Sequence, residues 1–123
     1  MRLALVDDHN GFRRLLRSVL ESDLEGVEIV EEARSGEEAV ERAPHWSVDL
    51  IVMDFQMPGM NGVEATRRIR EIDPDVEIVG FTSGDDPQLR IDYQAAGASE
   101  QYCKDQVSRL VEHLRARQGA SAR

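Results

Sequence analysis

Three acidic residues follow two short apolar segments of this sequence. Asp7 and Asp8 come directly after residues 3–6, and Asp54 comes directly after residues 50–53. A carboxylate buried without a partner is costly, so an acid at the end of a buried segment needs a cation or hydrogen-bond donors. Carboxylate oxygens suit Mg²⁺, which keeps several waters and leaves room for a phosphate oxygen. We therefore predict a Mg²⁺ site that contains these acids.

A hydroxyl and an ammonium follow the last two apolar segments. Thr82 and Ser83 come after the fourth segment, and Lys104 comes after the fifth. A threonine hydroxyl can donate a hydrogen bond to a phosphoryl oxygen, and a lysine ammonium supplies a compact positive charge. An aspartate carboxylate can act as a nucleophile toward phosphorus and form an aspartyl phosphate. These residue types together indicate phosphoryl transfer to an aspartate, assisted by Mg²⁺.

Short apolar segments and segments with helical periodicity alternate five times along the chain. The apolar segments have four to six residues, most with β-branched side chains, and this predicts strands rather than helices. The predicted strands cover residues 3–6, 27–30, 50–53, 76–81 and 99–103. The alternation predicts an α/β fold in which helices cover both faces of a parallel sheet. Ligands of such sheets bind beyond the carboxyl ends of the strands, where the acids, the hydroxyl and the ammonium are expected.

The helical segments have starts, stops and apolar stripes that the sequence indicates. In the first helix the spacing i, i+3, i+4, i+7 and i+8 predicts one apolar stripe, formed by Phe12, Leu15, Leu16, Val19 and Leu20. Ser35 or Gly36 is expected to cap the second helix, and Pro44 is expected to stop it. The fourth helix is predicted to begin at Pro87 and to end before Gly97.

Length and composition fit a single domain of 123 residues, predicted to span residues 1–117 with a tail or linker start over residues 118–123. The net charge of −9 repels phosphate backbones and anionic lipids, so we expect these residues to bind neither nucleic acid nor membrane. The sequence has no apolar run long enough for a membrane span or a secretion signal, and its single cysteine fits a reducing compartment. We therefore expect a cytoplasmic protein.

These motifs resemble the receiver domains of two-component response regulators, the CheY-like superfamily. The resemblance is carried by LVDDHNGFRRLLRSVL, DLIVMDFQMPGMNG, FTSGDD, AAGAS and CKD, and it covers about residues 2–117. The paired acids, the loop after Asp54, the threonine and the lysine each follow the expected strand. The resemblance implies a (βα)5 doubly wound, flavodoxin-like sheet of five parallel strands in the order 2-1-3-4-5.

The resemblance also implies a role for each acid of the predicted site. Asp54 would be the phospho-acceptor and would receive its phosphoryl group from a sensor histidine kinase. Asp8, Asp54 and the backbone carbonyl of Gln56 would ligate Mg²⁺, and Asp7 would act through a water. The chain would then be a phospho-acceptor switch rather than an enzyme with turnover.

Phosphoryl binding and switching would involve residues near the last two strand ends. Thr82 and Lys104 would hold the phosphoryl group, and the face formed by the fourth helix, fifth strand and fifth helix would bind a downstream protein or form a homodimer. Many receivers carry an aromatic switch residue three positions before the lysine, but this chain has Gln101 there. Strand alternation should turn the neighbouring Tyr102 to the opposite face. Ser83 stands near the phosphate, where alanine is usual.

Asp105 follows the lysine, where many receivers have proline. Together with DDH near the start, this is similar to the receivers of LuxR/FixJ-type regulators, which carry a helix-turn-helix output domain. These 123 residues do not include such a domain, so the chain is expected to be an excised receiver or to act alone. A C-terminal helix-turn-helix domain missing from these residues could bind DNA.

Two other functions stay open at this stage. A degenerate receiver that binds partners without phosphorylation is compatible with the absence of an aromatic residue at Gln101. A Mg²⁺-dependent phosphohydrolase would use a second acid two residues after its nucleophile, but that position is Gln56. The intact set of acids together with Lys104 favours the phosphorylated switch. His9 is expected to be a loop or capping residue rather than a ligand.

Overall fold

The computed structural model describes residues 1–121, which contain a single sheet of five strands. The strands are β1 (Arg2–Val6), β2 (Glu28–Ala33), β3 (Leu50–Met53), β4 (Glu77–Thr82) and β5 (Glu100–Cys103). Neighbouring strands all pair in parallel, in the order β2-β1-β3-β4-β5. The predicted (βα)5 fold with strand order 2-1-3-4-5 is therefore confirmed.

A helix follows each strand. The helices are α1 (Asn10–Asp23), α2 (Gly36–Arg42), α3 (Gly62–Ile72), α4 (Pro87–Ala96) and α5 (Val107–Ser121). Ser35 caps α2, because its hydroxyl oxygen accepts a hydrogen bond from the Glu38 N–H at 3.0 Å. The predicted bounds of α4 are confirmed. The α-helix ends at Arg42, just before Pro44 as predicted, and a 3-10 turn, Ala43–His45, then runs through the proline.

Helices bury both faces of the sheet, which explains why the central strand β3 is apolar and buried throughout. On one face, residues such as Ala4, Ile51 and Ile78 pack with α2, α3 and α4. On the other face, residues such as Val52 and Val79 pack with α1 and α5. Among the described residues, no helix combines the length and the apolar character that a membrane crossing requires.

The buried face of α1 differs from the predicted apolar stripe. Leu15 is 60% exposed, whereas Arg13 is buried. The Arg13 guanidinium donates a hydrogen bond to Glu32 at 2.9 Å, and Arg17 pairs with the same carboxylate. Because these arginines neutralise Glu32, β2 continues through its acidic residues to Ala33, three residues beyond the predicted end of the strand.

The last helix is longer than the sequence suggested. It extends from Val107 to Ser121, so the segment predicted as a tail or linker start is helical over its described part. The Gln118 side chain donates a hydrogen bond to the Glu25 carbonyl at 2.8 Å and attaches this end of α5 to the turn before β2. Residues 122–123 lie outside the described part of the chain, and the linker start stays a prediction.

Candidate functional site

The carboxyl ends of β1 and β3 bring the three acids together. Parallel pairing places Val6 opposite Met53, and the Asp54 N–H donates a hydrogen bond to the Val6 carbonyl at 2.9 Å. Asp7 and Asp8 therefore leave β1 beside Asp54. Carboxylate oxygens of Asp7, Asp8 and Asp54 all lie within 4.8 Å of one another. The structure thus assembles the acid cluster that the sequence predicted.

Lys104 reaches this cluster from the end of β5. Its ammonium nitrogen Nζ lies 2.6 Å from Oδ2 of Asp7 and 3.4 Å from Oδ1 of Asp54. The Lys104 N–H donates to the Thr82 carbonyl at 2.8 Å, which aligns the ends of β4 and β5. The ammonium also lies 4.3 Å from the centre of the Phe12 ring, where a cation–π contact helps to hold it over the acids.

Backbone donors fix the orientation of two of the carboxylates. The His9 N–H donates to Oδ1 of Asp7 at 2.8 Å, and the Phe55 N–H donates to Oδ1 of Asp54 at 2.9 Å. His9 itself caps α1, because its Nδ1 accepts from the Phe12 N–H at 3.0 Å. The predicted capping role of His9 is therefore confirmed.

The electrostatic environment of Asp54 favours an added cation. Asp7 and Asp54 are each only 5% exposed, whereas Asp8 is open to solvent. Burial raises the pKa of Asp54 to about 6, and the negative charge of Asp7 contributes to the rise, while Lys104 opposes it. A single ammonium thus compensates the acids only in part. Clustered hard oxygen ligands with this surplus of negative charge fit a divalent cation such as Mg²⁺.

The acids and Lys104 line an open cleft of about 300 Å³ at the edge of the sheet. Gln56 and Ser83 line the same cleft, next to Asp8. This volume has room for a phosphoryl group and its waters. The roles predicted for the Gln56 backbone carbonyl and for Ser83 stay predictions.

The loop after Asp54 passes close to α3, and a glycine makes this approach possible. A Cβ atom on Gly62 would overlap the backbone oxygen of Asp54 and the hydroxyl of Tyr93. The Gly62 N–H donates to the Phe55 carbonyl at 2.9 Å and closes the loop onto the first turn of α3. Gly62 therefore lets the chain turn tightly behind the acid.

Thr82 ends β4 and is only 2% exposed. Its Oγ1 accepts a hydrogen bond from the side-chain amide of Gln101 at 3.2 Å. The Tyr102 hydroxyl instead lies 2.8 Å from Nδ1 of His113 in α5. The prediction that Gln101 and Tyr102 face opposite sides of β5 is therefore confirmed, and no aromatic ring from position 101 contacts Thr82.

Sequence reasoning missed two buried residues behind the site. The Arg13 guanidinium donates a hydrogen bond to the backbone carbonyl of Asp7 and so holds the corner that carries the acids. The Tyr93 hydroxyl of α4 donates to the Met53 carbonyl at 3.1 Å, directly before Asp54. The position of Arg13 on the buried face of α1, with Glu32 opposite, was the sequence signal that could have revealed its contact with Asp7. The second depends on packing that periodicity does not show.

Comparison with known proteins agrees with this geometry. The family model "Response regulator receiver domain" matches residues 3–115. The response regulator UvrY of Escherichia coli K12 is 39% identical over 99 residues, which are 80% of this chain and 45% of UvrY. This chain thus spans about half the length of the first curated relatives it matches.

Solved structures of response regulators superpose on nearly the whole chain. A LuxR-family response regulator from Aurantimonas sp. SI85-9A1 has a TM-score of 0.89 and 33% identity, with coverage of 97% of this chain and 85% of that one. A chain of the CheX-CheY-BeF3-Mg²⁺ complex from Borrelia burgdorferi has a TM-score of 0.79 and 25% identity, with coverage of 93% and 88%. The parallel sheet, the acidic pocket and the match to the family model agree: the chain belongs to the receiver domains of two-component response regulators, which are phospho-acceptor switches.

Proposed function

We propose that Asp54 is the phospho-acceptor of this receiver and that a sensor histidine kinase supplies its phosphoryl group. One observation carries the assignment. Asp54 is buried, one of its carboxylate oxygens lies within 4.8 Å of oxygens of Asp7 and Asp8, and the Lys104 ammonium lies 3.4 Å away. Asp8 is exposed, and Asp7 is already bonded to Lys104 at 2.6 Å. Asp54 is therefore best placed to act as the nucleophile.

The transfer step uses the carboxylate of Asp54. One carboxylate oxygen attacks the phosphorus of a phosphohistidine, a new P–O bond forms, and the P–N bond breaks. The histidine nitrogen leaves with the electron pair of that bond and takes up a proton from solvent. The switch returns to its unphosphorylated state by hydrolysis: water attacks the phosphorus, the P–O bond to Asp54 breaks, and inorganic phosphate and the free carboxylate are released. Asp54 must be ionised to attack, and the ammonium of Lys104 favours that form.

The acid cluster fits Mg²⁺, and we propose that Asp8, Asp54 and the Gln56 carbonyl hold it, with Asp7 acting through a water. When bound, the ion offsets the negative charge on the phosphoryl oxygens and orients the reacting groups. The donor set of hard oxygens supports this assignment. The Borrelia burgdorferi complex contains Mg²⁺ together with BeF3.

Thr82 and Lys104 are proposed to bind the phosphoryl group after transfer. The Lys104 ammonium is then drawn from the acids toward the new phosphoryl oxygens, and the Thr82 hydroxyl donates to another oxygen. Both residues lie at the ends of neighbouring strands, so a change at either one reaches β5, α4 and α5. We propose that this face then binds a downstream protein or a second copy of the chain.

The test is the intact mass after incubation with Mg²⁺ and acetyl phosphate. We expect one phosphoryl group per chain in the unsubstituted protein and none in Asp54→Asn. Asp75→Asn is a matched control, because Asp75 is an exposed acid before β4, at the opposite edge of the sheet. An adduct that persists in Asp54→Asn, or a protein that forms no adduct at all, would contradict the proposal.

A further inference from the structure

The side-chain amide of Gln101 contacts two acceptors at the end of β4 and β5. Its Nε2 lies 2.8 Å from the backbone carbonyl oxygen of Tyr102 and 3.2 Å from Oγ1 of Thr82. In the strand register Gln101 stands opposite Gly80, two residues before Thr82. The side chain therefore runs along β4 toward the buried hydroxyl.

Packing holds the stem of Gln101 in this direction. A Cβ atom on Gly80 would lie 3.0 Å from Cγ of Gln101 and 2.9 Å from ring carbons of Tyr93. The absence of a side chain at Gly80 thus leaves room for both groups next to each other. Tyr93 is fully buried, so its ring forms a packed wall on this side of Gly80.

The carbonyl of Tyr102 decides which end of the amide faces Thr82. A backbone carbonyl oxygen only accepts hydrogen bonds, so the group that faces it must be the NH2 of Gln101 and not its oxygen. One hydrogen of this NH2 goes to the Tyr102 carbonyl, and the other goes to the Thr82 hydroxyl oxygen. Thr82 is therefore an acceptor toward Gln101, and its own proton must point elsewhere.

We propose that Gln101 is a positioning residue that directs the proton of the Thr82 hydroxyl toward the phosphoryl group on Asp54. The inference rests on the proposed function, since it concerns the same phosphoryl group. Thr82 is buried and directly precedes Ser83, which lines the cleft, and the hydroxyl proton that Gln101 does not engage is the one we assign to the phosphoryl group. In this chain the polar residue at position 101 presets the donor before the phosphoryl group arrives.

The experiment compares Gln101→Met and Gln101→Glu for the rate of phosphorylation by acetyl phosphate. Methionine keeps the length of the side chain but has no donor, so the Thr82 hydroxyl loses its preset orientation. We expect the maximal rate to fall by about fivefold, the typical worth of one net hydrogen bond, with half-saturation by the donor unchanged. Glutamate can only accept, so it turns the Thr82 proton away from the cleft, and we expect a larger fall.

The same two substitutions in a Thr82→Val background separate positioning from packing and charge. Without the hydroxyl, Gln101→Met should have no further effect, and Gln101→Glu should keep only the effect of its added charge. Melting temperatures show whether each variant is folded. If Gln101→Met does not fold, the comparison is made with Gln101→Glu alone.

Equal effects with and without the Thr82 hydroxyl would overturn the inference, as would an unchanged maximal rate in both single variants. If the unsubstituted protein forms no adduct, the proposed function fails and the role of Gln101 falls with it. A normal adduct that is insensitive to position 101 would overturn the role of Gln101 alone.

Discussion

Lys104 is bonded more closely to Asp7 than to Asp54, with its Nζ at 2.6 Å from the first carboxylate and 3.4 Å from the second. In the unphosphorylated site the ammonium thus neutralises the neighbour of the proposed nucleophile and leaves Asp54 less strongly paired. A phosphoryl group on Asp54 adds negative charge within reach of the same side chain. In the proposed function Lys104 would exchange Asp7 for a phosphoryl oxygen, and this movement would link the chemistry to the end of β5.

Replacing Lys104 with methionine should slow phosphorylation. Methionine keeps the length of the stem but removes the charge that favours ionised Asp54. We expect the rate of adduct formation with acetyl phosphate to fall at least about tenfold, because a charge that stabilises the transferring group is lost. Arg109→Met is the control, since Arg109 lines a different groove on α5. A rate unchanged by Lys104→Met would show that the ammonium has no part in the transfer.

Asp54→Asn should stabilise the fold at neutral pH in the absence of divalent cations. The pKa of Asp54 rises from 3.8 to about 6 on folding, so ionisation costs stability on the order of 2–3 kcal/mol. Because the folded-state pKa is raised, the fold favours the protonated form of Asp54. The stability associated with that form is fully present below pH 3.8 and is lost as the pH rises through about 6.

Denaturant unfolding in EDTA between pH 4 and 8 tests this expectation. The gain of Asp54→Asn over the unsubstituted protein should be small near pH 4 and should reach its full value above pH 6. The Asp75→Asn control should show no such pH dependence. A gain that does not change with pH would mean that burial does not perturb Asp54 in the folded protein.

Mg²⁺ should raise the melting temperature of the unsubstituted protein. The ion binds the assembled acids of the folded state and not the unfolded chain, so it shifts the equilibrium toward folding. We expect Asp8→Asn to lose most of this shift, whereas Asp75→Asn should keep it. Scanning fluorimetry at increasing Mg²⁺ measures the effect. Equal shifts in all three proteins would place the ion outside the acid cluster.

Glu77 should make the stability of the fold sensitive to acid. A hydrogen bond from His113 at 2.7 Å is the main cause that lowers the pKa of Glu77 to about 2, and Ser99 and Arg117 also donate to this carboxylate. Because the folded-state pKa is lowered, ionised Glu77 stabilises the fold. This stabilisation is present above about pH 4.5 and is lost as the pH falls toward 2.

Glu77→Gln should therefore be less stable than the unsubstituted protein at pH 7, and the difference should shrink between pH 4.5 and 3. Urea unfolding across this range measures it. Glu28→Gln is a suitable control, because Glu28 begins β2 as an exposed residue. A difference that stays constant down to pH 3 would contradict the lowered pKa of Glu77.

The sequence was sufficient to predict the sheet and the acid cluster because strand ends of a parallel sheet meet at one edge. The alternation of strands and helices placed Asp8, Asp54 and Lys104 at the same edge of the sheet, and the strand order implied by the family resemblance made them neighbours. The direction of Gln101 and Tyr102 followed from the alternation of side chains along β5. Each of these predictions depends on local periodicity and on the order of the strands.

Other features depend on contacts between distant parts of the chain. Arg13 can be buried because Glu32 and the Asp7 carbonyl accept its hydrogen bonds, so the buried face of α1 includes Arg13 and leaves Leu15 exposed. Tyr93 reaches the Met53 carbonyl only because Gly62 and Gly80 leave it space. Such packing relations have no repeat in the sequence and could not be predicted from it.

The most direct test of the central claim is the identity of the residue that carries the phosphoryl group. Borohydride reduces an aspartyl phosphate to homoserine, which tandem mass spectrometry of peptides locates in the chain. After incubation with acetyl phosphate and Mg²⁺, we expect homoserine at position 54 and nowhere else, and none when EDTA replaces Mg²⁺. Homoserine at position 7 or 8, or none in the presence of Mg²⁺, would contradict the account.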